Sequence, residues 1–588
     1  MRQKFLPFLL AIITAYLPAS AYDFMVDGLC YNINEDGTSV TVTYQIHSYP
    51  NPTYNDLSGE INIPASVTYN GNPYSVTVIG DYAFSECNGL TSVTIPESVT
   101  IIGRDAFCEC TSMTSIEISN SVTTINERAF YLCRSLENII IPNSVTEIGR
   151  DAFNGCSGMT SVIIGNSVTE ISGNAFWGCT SLTSITLPSS VTTIGGYAFY
   201  HCDNMATITI PPSVTSIGMG AFDWCSSLIR VNITDLAAWC RISFENYFSN
   251  PLIYAHKLYL NGRLIKDLVI PESIVTINDY AFYECSALQS VAVGNDVKFI
   301  GNYAFVRCTG LTSATIGDMV ERIGTYAFSD CSGLTNLTVG ESVNSVDRYS
   351  FTSCNSLETV NWNAKNCKDL PSAFFPNSSG ITTFNFGDQV LRIPGYLCYG
   401  LGNLTDVEIP ATVTTIGDNA FRNCTSLESL ALPDAVTSVN KEAFRGCSGL
   451  KNLKIGESVS LLHNYAFGGC TSLETIVSMA EPTTMTMGTS VFENVPTETC
   501  VLKVPQQYYE DYICTEQWED FFNIEAIAGD TVNGDVDGDG AVTSADVTII
   551  YNYLLGGEAA NIDSCDVDGD GFITSTDITV LYNIILGN

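Results

Sequence analysis

Two acidic segments near the end of the chain have the residue types and spacing of a calcium site. The first runs from Asp535 to Asp546 and the second from Asp566 to Asp577, 31 residues further on. Each has aspartate at positions 1, 3, 5 and 12 and glycine at position 6. Calcium takes about six to eight oxygen ligands, and a 12-residue loop with a sharp turn at its sixth residue can supply them.

The candidate ligands are carboxylates at positions 1, 3, 5 and 12, a backbone carbonyl at position 7 and a hydroxyl acting through water at position 9. They are Asp535, Asp537, Asp539, Ala541, Thr543 and Asp546 in the first loop, and Asp566, Asp568, Asp570, Phe572, Thr574 and Asp577 in the second. Without a cation these carboxylates would repel one another, so the sequence predicts two calcium ions and metal-dependent folding.

One amphipathic helix is predicted after each loop, over 547–555 and 578–586, and none before the first loop. This arrangement resembles a type I dockerin domain more than a full EF-hand, and we assign it to residues 529–588. Aspartate at position 3 departs from the asparagine common in that family but leaves calcium binding intact. The resemblance implies a cohesin partner, contacted through loop positions 10 and 11: Ser544, Ala545, Ser575 and Thr576.

Most of the chain before these loops repeats the pattern Ile-Gly-x-x-Ala-Phe-x-x-Cys-x-x-Leu-x-x-Val-x-Ile-Pro-x-Ser-Val-Thr every 23 residues. Sixteen units are marked by Phe84, Phe107, Phe130, Phe153, Phe176, Phe199, Phe222, Phe282, Phe305, Phe328, Phe351, Phe374, Cys398, Phe421, Phe444 and Phe467. A fixed period of this length is typical of a leucine-rich-repeat solenoid. The predicted fold class is therefore α/β and β-dominated, with about 16 coils of 23 residues.

Within one coil, residues 90–95 alternate as a short strand that Pro96 ends, and residues 98–103 form a second extended piece closed by glycine. Asp105, Ala106 and Phe107 are predicted to begin a single helical turn. One coil cannot cover its own apolar side chains, whereas stacked coils bury them on both sides.

The Ala-Phe-x-x-Cys and Ile-Pro-x-Ser-Val elements closely resemble the BspA-like leucine-rich-repeat family of bacterial surface proteins, over about residues 75 to 475. That resemblance implies adhesion to host matrix or to other cells.

Segments without the period divide the chain further. Residues 22–75 are predicted to form an N-terminal β cap and 479–528 a C-terminal cap, with repeats over 76–230 and 271–478. An insertion over 231–270 is rich in aromatic residues. Two interpretations stay open for it, a ligand pocket on the side of the solenoid or a locally packed bulge; the residues concerned are Trp239, Phe244, Tyr247, Phe248 and Tyr254.

Fourteen of the 22 cysteines share one repeat position. Because equivalent side chains on successive coils point the same way, we expect buried free thiols there. Cys500 and Cys514 form either a disulfide or two free thiols.

The charge of −38 argues against nucleic acid and anionic membranes as partners. Residues 1–21 have a basic start, a short apolar run and small residues at 19 and 21, which predicts a cleaved signal peptide and an extracellular or cell-surface protein without a membrane-spanning segment. The four histidines are scattered, at His47, His201, His256 and His463, so no catalytic residues are predicted.

The leading hypothesis is a non-enzymatic adhesion or interaction protein. Rows of outward Thr and Ser, such as Thr114 and Ser115, would contact a protein or matrix ligand, unless they simply reflect the preference of exposed strands. The alternative is a non-catalytic component, recruited by cohesin, of a polysaccharide-degrading complex.

Overall fold

The computed structural model describes residues 21–45, 57–372, 374–375, 380–527, 534–537, 542–557 and 562–586. The chain divides into two compact units, Met1–Val390 and Leu391–Asn588. The predicted signal peptide lies outside the described residues, except for Ala21.

Most coils have a strand at the Leu-x-x-Val segment, and we call these the long strands. They pair in parallel with a constant offset of 23 residues over most of the solenoid, as in Ile139 with Val162. The first unit contains Ser58–Asn62, Gly89–Thr94, Ser115–Glu117, Asn138–Ile141, Ser161–Ile164, Ser184–Thr186, Thr207–Thr209, Arg230–Ile233, Leu258–Leu260, Asp267–Val269, Ser290–Ala292, Ser313–Thr315, Asn336–Val339, Thr359–Trp362 and Thr383–Phe386. The short strand Arg263–Leu264 pairs antiparallel with Leu258–Leu260. The second contains Ser429–Ala431, Asn452–Ile455, Thr475–Ser478, Val501–Pro505 and Asn523–Ile527.

A second ladder of two-residue strands follows the Ser-Val-Thr segment in most coils. In the first unit these are Ile101–Ile102, Thr124–Ile125, Glu147–Ile148, Glu170–Ile171, Thr193–Ile194, Ser216–Ile217, Ser243–Phe244, Thr276–Ile277, Phe299–Ile300, Arg322–Ile323 and Ser345–Val346. In the second they are Arg392–Ile393, Thr415–Ile416, Ser438–Val439, Leu461–Leu462 and Thr486–Met487. Their isoleucine, valine or leucine points inward in nearly every coil.

The Ala-Phe segment forms the third side of each coil, which we call the turn edge. The predicted helical turn at Asp105, Ala106 and Phe107 is wrong. Asp105 has φ +52, in the left-handed region, and the N–H groups of Asp105 and Phe107 donate to carbonyls of the next coil at 3.0 and 2.8 Å. Because cross-coil bonds take these donors, the segment is a series of tight turns and no helix forms.

The core is a stack of phenylalanine rings along the inside of the turn edge. Neighbouring rings from Phe84 to Phe222 lie 5.1–5.6 Å apart and within 11° of parallel. The equivalent rings Phe421, Phe444 and Phe467 stack in the second unit. These side chains are completely buried, so each coil depends on its neighbours for cover.

The repeat cysteines are buried and form no disulfide bonds, as expected. Each of 12 thiols also donates to a backbone carbonyl of the preceding coil at 3.0–3.4 Å, as Cys179 does to Phe153. These thiols therefore link neighbouring coils by hydrogen bonds in addition to filling space in the core. Cys500 and Cys514 are both free, the first buried and the second exposed.

The solenoid has about 19 turns, slightly more than the predicted 16. Segments without the sequence repeat nevertheless continue its sheets. Before the first repeat, Ser58–Asn62 pairs in parallel with Gly89–Thr94; in the insertion, Leu258–Leu260 pairs with Arg230–Ile233; and near the end, Val501–Pro505 pairs with Thr475–Ser478. A period search misses them because backbone pairing needs no particular side chains.

The N-terminal strands are Phe24–Val26, Leu29–Ile33, Ser39–Thr43, Ser66–Tyr69 and Asn72–Ile79. The last two form a hairpin through Asn70 and Gly71, both with positive φ. Helices are short in the solenoid, namely Leu236–Cys240, Leu252–Ala255 and Tyr509–Tyr512, with 3-10 turns Tyr247–Ser249 and Gln506–Tyr508. The C-terminal region contains Ser544–Leu554, Ser575–Leu586 and the 3-10 turn Ile562–Cys565.

Candidate metal centre

The first acidic loop brings three of its predicted ligands together. Carboxylate oxygens of Asp535, Asp537 and Asp546 all lie within 4.8 Å of one another. Asp539 and Ala541 lie outside the described residues. Thr543, at position 9, stands at the start of the following helix. Three carboxylates converging on one point form the oxygen-only donor set that a hard cation such as calcium prefers.

The second loop gathers Asp566, Asp568 and Asp570 within the same distance. The loop is held by its own backbone, since the N–H of Gly571 donates to Asp566 at 2.8 Å and that of Phe572 to Asp570 at 2.7 Å. The Phe572 side chain is exposed, which leaves its predicted role to its backbone carbonyl.

The closing aspartates Asp546 and Asp577 are completely buried and make the same contacts. One oxygen of Asp546 accepts from the N–H groups of Val536 at 2.7 Å and Asp537 at 3.1 Å, and the other from that of Thr543 at 2.7 Å. Asp577 accepts from the equivalent positions of its loop at 2.6–3.2 Å: Val567, Asp568 and Thr574. Position 12 thus ties both ends of each loop together.

One carboxylate of each loop has a shifted pKa, and the two shifts have opposite directions. Burial would raise the pKa of Asp546, but the N–H donors of Thr543, Asp537 and Val536 outweigh burial and lower the pKa below its usual value. Burial also raises the pKa of Asp568, and the charges of Asp577, Asp570 and Asp566 add to that effect, bringing the pKa to about 6. A bound cation would relieve this repulsion, so the residues present fit calcium.

The helices begin three residues earlier than predicted, at Ser544 and Ser575. The cause is capping, because the Thr543 hydroxyl accepts from the N–H of Ala545 at 3.1 Å and forms a capping box with Asp546. The Thr574 hydroxyl accepts from Thr576 at the same distance in the second loop. The predicted partner residues Ser544, Ala545, Ser575 and Thr576 consequently lie in the first turn of each helix and are exposed.

A small core joins the two loops and helices. Its fully enclosed members are Val536, Val547, Ile550, Cys565, Val567 and Leu581. Several are related by the 31-residue duplication, Val536 with Val567 and Ile550 with Leu581. Among the described residues of this module, so few buried side chains give little hydrophobic stabilisation, and we expect its order to depend on the loops.

Sequence reasoning missed the exposed apolar residues on the two helices. Tyr551 and Leu555 are 56% and 70% exposed, and their duplicates Tyr582 and Leu586 are 50% and 68% exposed. The duplication in the sequence could have indicated them. Apolar residues occur at the same outer positions after both loops, although the core does not need them. They form two equivalent apolar surfaces suited to a partner.

The aromatic residues of the insertion separate into two groups. Trp239 and Phe244 are buried, and the Trp239 indole donates to the Ala281 carbonyl at 2.9 Å, which agrees with the packed-bulge interpretation. The other three, Tyr247, Phe248 and Tyr254, are partly or largely exposed at the turn edge.

The outward Thr and Ser residues of the long strands are mostly exposed, as expected. Their hydroxyls are nevertheless used within the solenoid, since Thr114 donates to the Thr91 carbonyl at 3.3 Å and Thr312 to the Gln289 carbonyl at 2.9 Å. The row therefore has a structural role that needs no ligand.

The described histidines stand in different surroundings. His201 lies 3.3 Å from Asp203, His256 lies 3.1 Å from the Glu284 carbonyl, and His463 accepts from the N–H of Asn464. His47 lies outside the described residues. Of the helices that the structure describes, none has the length and apolar character needed to cross a membrane.

Stacked coils and paired aspartate loops define a leucine-rich-repeat protein with a small helical metal-site module. Residues 65–183, 146–250, 253–382 and 391–513 match the model of the BspA type leucine rich repeat region, and residues 533–586 match the dockerin type I domain. The chain belongs to the BspA-type leucine-rich-repeat family. Leucine-rich-repeat solenoids mediate protein interactions, and dockerin type I domains bind calcium and cohesins.

Similar solved structures are bacterial leucine-rich-repeat proteins. One from Bacteroides ovatus is 25% identical, covering 86% of this chain and 100% of that chain, with a TM-score of 0.40. A leucine rich cell surface protein from Faecalibacterium prausnitzii is 23% identical, covering 77% and 94%, with a TM-score of 0.23. One from Bacteroides capillosus is 38% identical, covering 24% of this chain and 96% of that chain, with a TM-score of 0.21. Among curated proteins, none matches the chain.

Proposed function

We propose that the protein is a secreted or surface-attached, non-enzymatic interaction protein whose C-terminal module binds a cohesin in a calcium-dependent way. The observation that carries this proposal is the pair of loops in which three aspartates converge, each closed by a buried aspartate. Family membership supports it, since proteins with these two kinds of domain are typically extracellular or surface-attached.

In this proposal two calcium ions are held by the residues predicted from the sequence. Asp535, Asp537, Asp539, Asp546 and the Ala541 carbonyl serve the first ion, with Thr543 through water. The equivalent residues of the second loop are Asp566, Asp568, Asp570, Phe572, Thr574 and Asp577. Bound calcium supplies the positive charge that offsets the crowded carboxylates, and the closing aspartates then fix the start of each helix.

The cohesin contact is assigned to the exposed helix starts and to the apolar residues beside them. Ser544 and Ala545 are exposed in the first helix, and Tyr551 follows two turns later. Polar residues that specify orientation beside apolar residues that bury area are the usual composition of such an interface.

The test uses the full chain and an immobilised type I cohesin domain. Binding should occur in millimolar calcium and disappear in EDTA. A variant with Ser544→Asp and Ser575→Asp places charge at both helix starts and should lose binding while its calcium-dependent helicity is kept. Retention of binding by this variant in calcium would contradict the assigned surface, and binding in EDTA would contradict the calcium requirement.

For the solenoid, we propose contact with host matrix or with other cells along the exposed long strands. Replacing the outward Thr and Ser of four successive coils by Ala should abolish adhesion of immobilised protein to fibrillar matrix if this row is the contact. Because the hydroxyls also bond within the solenoid, the unfolding midpoint must be measured beside adhesion. Unchanged adhesion by a folded variant would contradict the proposal.

The dockerin match also favours a second candidate, a non-catalytic member of a polysaccharide-degrading complex, recruited by cohesin. The two candidates share the tail and differ in what the solenoid binds. The domain boundaries proposed from the sequence, with repeats over 76–230 and 271–478, serve both.

A further inference from the structure

One stretch of the turn edge carries a cluster of aromatic side chains, which we call the aromatic patch: Trp177, Tyr197, Tyr200, His201 and Trp224. The rings form a continuous series across three successive coils. Trp177 lies 4.2 Å from Tyr200, Tyr200 lies 4.7 Å from His201, and His201 lies 5.1 Å from Trp224 between ring centroids. Trp224 is 53% exposed, an unusual state for the largest apolar side chain.

The rings of this patch are arranged differently from the regular tyrosine row further along the first unit. There, Tyr280, Tyr303, Tyr326 and Tyr349 stack 5.0–5.2 Å apart at 8–24°, so that each ring covers the face of the next. In the aromatic patch, Trp177 is tilted by 39° from Tyr200, and Tyr197 is nearly perpendicular to Tyr200. Trp224 stacks on His201 at 17° and keeps 53% of its surface exposed, whereas Tyr303 and Tyr326 each have a stacked ring on both sides.

Two features hold the patch in place. Gly220 occupies the position where the neighbouring coils have Asn174 and Tyr197, and a Cβ there would lie 2.6 Å from the Tyr197 ring. The missing side chain therefore makes room for the ring. From the insertion, the Tyr254 hydroxyl accepts from the backbone N–H of Trp224 at 3.0 Å and donates to Asp223 at 2.8 Å. The insertion thus braces the segment that carries Trp224.

Polar groups beside the rings determine which partner fits. Asp223 lies next to Trp224, and Asp203 lies 3.3 Å from His201. Carboxylates accept hydrogen bonds from hydroxyl groups, and with the net charge of −38 they disfavour an anionic partner. The negative face of an aromatic ring attracts the polarised C–H groups on the flat side of a sugar.

We propose that the aromatic patch is a binding site for a neutral polysaccharide. Trp224 and Trp177 stack on pyranose rings, and Asp223 and Asp203 accept from sugar hydroxyls. The two tryptophans belong to coils two steps apart, roughly 10 Å along the solenoid, so the site engages several sugar units. It uses residues of the solenoid alone and is independent of calcium and cohesin.

The intrinsic fluorescence of the full chain tests this proposal directly. Of the five tryptophans, Trp239, Trp362 and Trp518 are fully buried, so a response to added ligand reports on the other two. Soluble xyloglucan, galactomannan and laminarin are titrated in EDTA. At least one should shift the emission, and Trp224→Ala should weaken its binding, measured by affinity electrophoresis, at least 10-fold.

Tyr349→Ala is the matched control, because Tyr349 is an exposed aromatic residue of the turn edge outside the patch. It should bind the polysaccharide like the natural chain. Absence of binding by all three polysaccharides, equal losses in the two variants, or undiminished binding by Trp224→Ala would each overturn the proposal. None of these results would bear on cohesin docking, since the titration contains neither calcium nor cohesin.

Discussion

The solenoid coils and the aspartate loops are both repeated units, but they are ordered by different means. A coil buries phenylalanine, leucine, isoleucine and a thiol against identical neighbours, and its backbone donors bond to the next coil. A loop has a much smaller core and several carboxylates whose mutual repulsion opposes folding. Order in the solenoid therefore comes from stacking on neighbouring coils, whereas we expect order in the tail to require a cation.

The two regions also differ in which residue types adopt the left-handed backbone conformation. In the second loop, Gly569 and Gly571 occupy positive φ at +71 and +86, as steric rules favour. At the turn edge, ordinary residues such as Glu109, with φ +59, take the same conformation. Its N–H donates to the Tyr131 carbonyl at 2.7 Å, so stacking imposes the conformation and compensates its cost.

The largest expected effect is the loss of one ring from the phenylalanine stack. Phe176→Ala should lower the free energy of unfolding by about 3–5 kcal/mol, since it leaves a cavity between Phe153 and Phe199. Urea denaturation followed by circular dichroism measures this, and the loss should be the same with calcium or EDTA. The control is Ile163→Thr, because Ile163 is 61% exposed and its loss should change stability by less than about 0.5 kcal/mol. Similar losses for both variants would contradict a core built by stacking.

The next effect concerns the tail alone. Asp546→Asn should weaken calcium binding at the first loop on the order of 100-fold, because it removes a charge and turns an acceptor of three N–H groups into a partial donor. Titration calorimetry of the full chain measures it, with Asp296→Asn on the solenoid surface as control. The solenoid should unfold as before. Unaltered calcium affinity would show that position 12 is no ligand.

The smallest effect has the opposite sign. Glu109→Gly should raise the free energy of unfolding by up to about 1 kcal/mol, because glycine adopts positive φ without steric cost. Glu117→Gly, in the strand Ser115–Glu117, should lower it by about 0.5–1 kcal/mol. Destabilisation by both substitutions would show that the left-handed position carries no strain.

The sequence predicted the features that depend on local pattern. Alternating apolar residues predicted the strands, and the 23-residue period predicted that the coils stack. The spacing of the aspartates predicted loops whose carboxylates converge. The turn edge could not be predicted in this way, because its conformation at Asp105 and Glu109 is decided by hydrogen bonds to the next coil. The helices begin at Ser544 and Ser575, three residues before the starts that apolar periodicity predicts, because the preceding threonines cap them.

In the insertion, too, long-range contacts decide what the sequence pattern cannot predict. Composition marked five aromatic residues as alike, but their exposure differs with their place in the coil. Trp239 bonds to Ala281, a residue 42 positions away, whereas Tyr247 is 40% exposed. Such long-range contacts leave no periodic trace in the sequence.

The two modes of order can be compared in one molecule by counting reactive thiols. Among the 22 cysteines, Cys514 is exposed and the rest are buried, and burial raises the pKa of thiols such as Cys156 to about 12. Cys565 lies in the small core of the tail. In calcium, a disulfide reagent should react with one thiol per chain, and in EDTA with two, the second being absent from Cys565→Ser. An equal count in both conditions, or the appearance of many thiols in EDTA, would contradict a solenoid ordered by stacking beside a tail ordered by calcium.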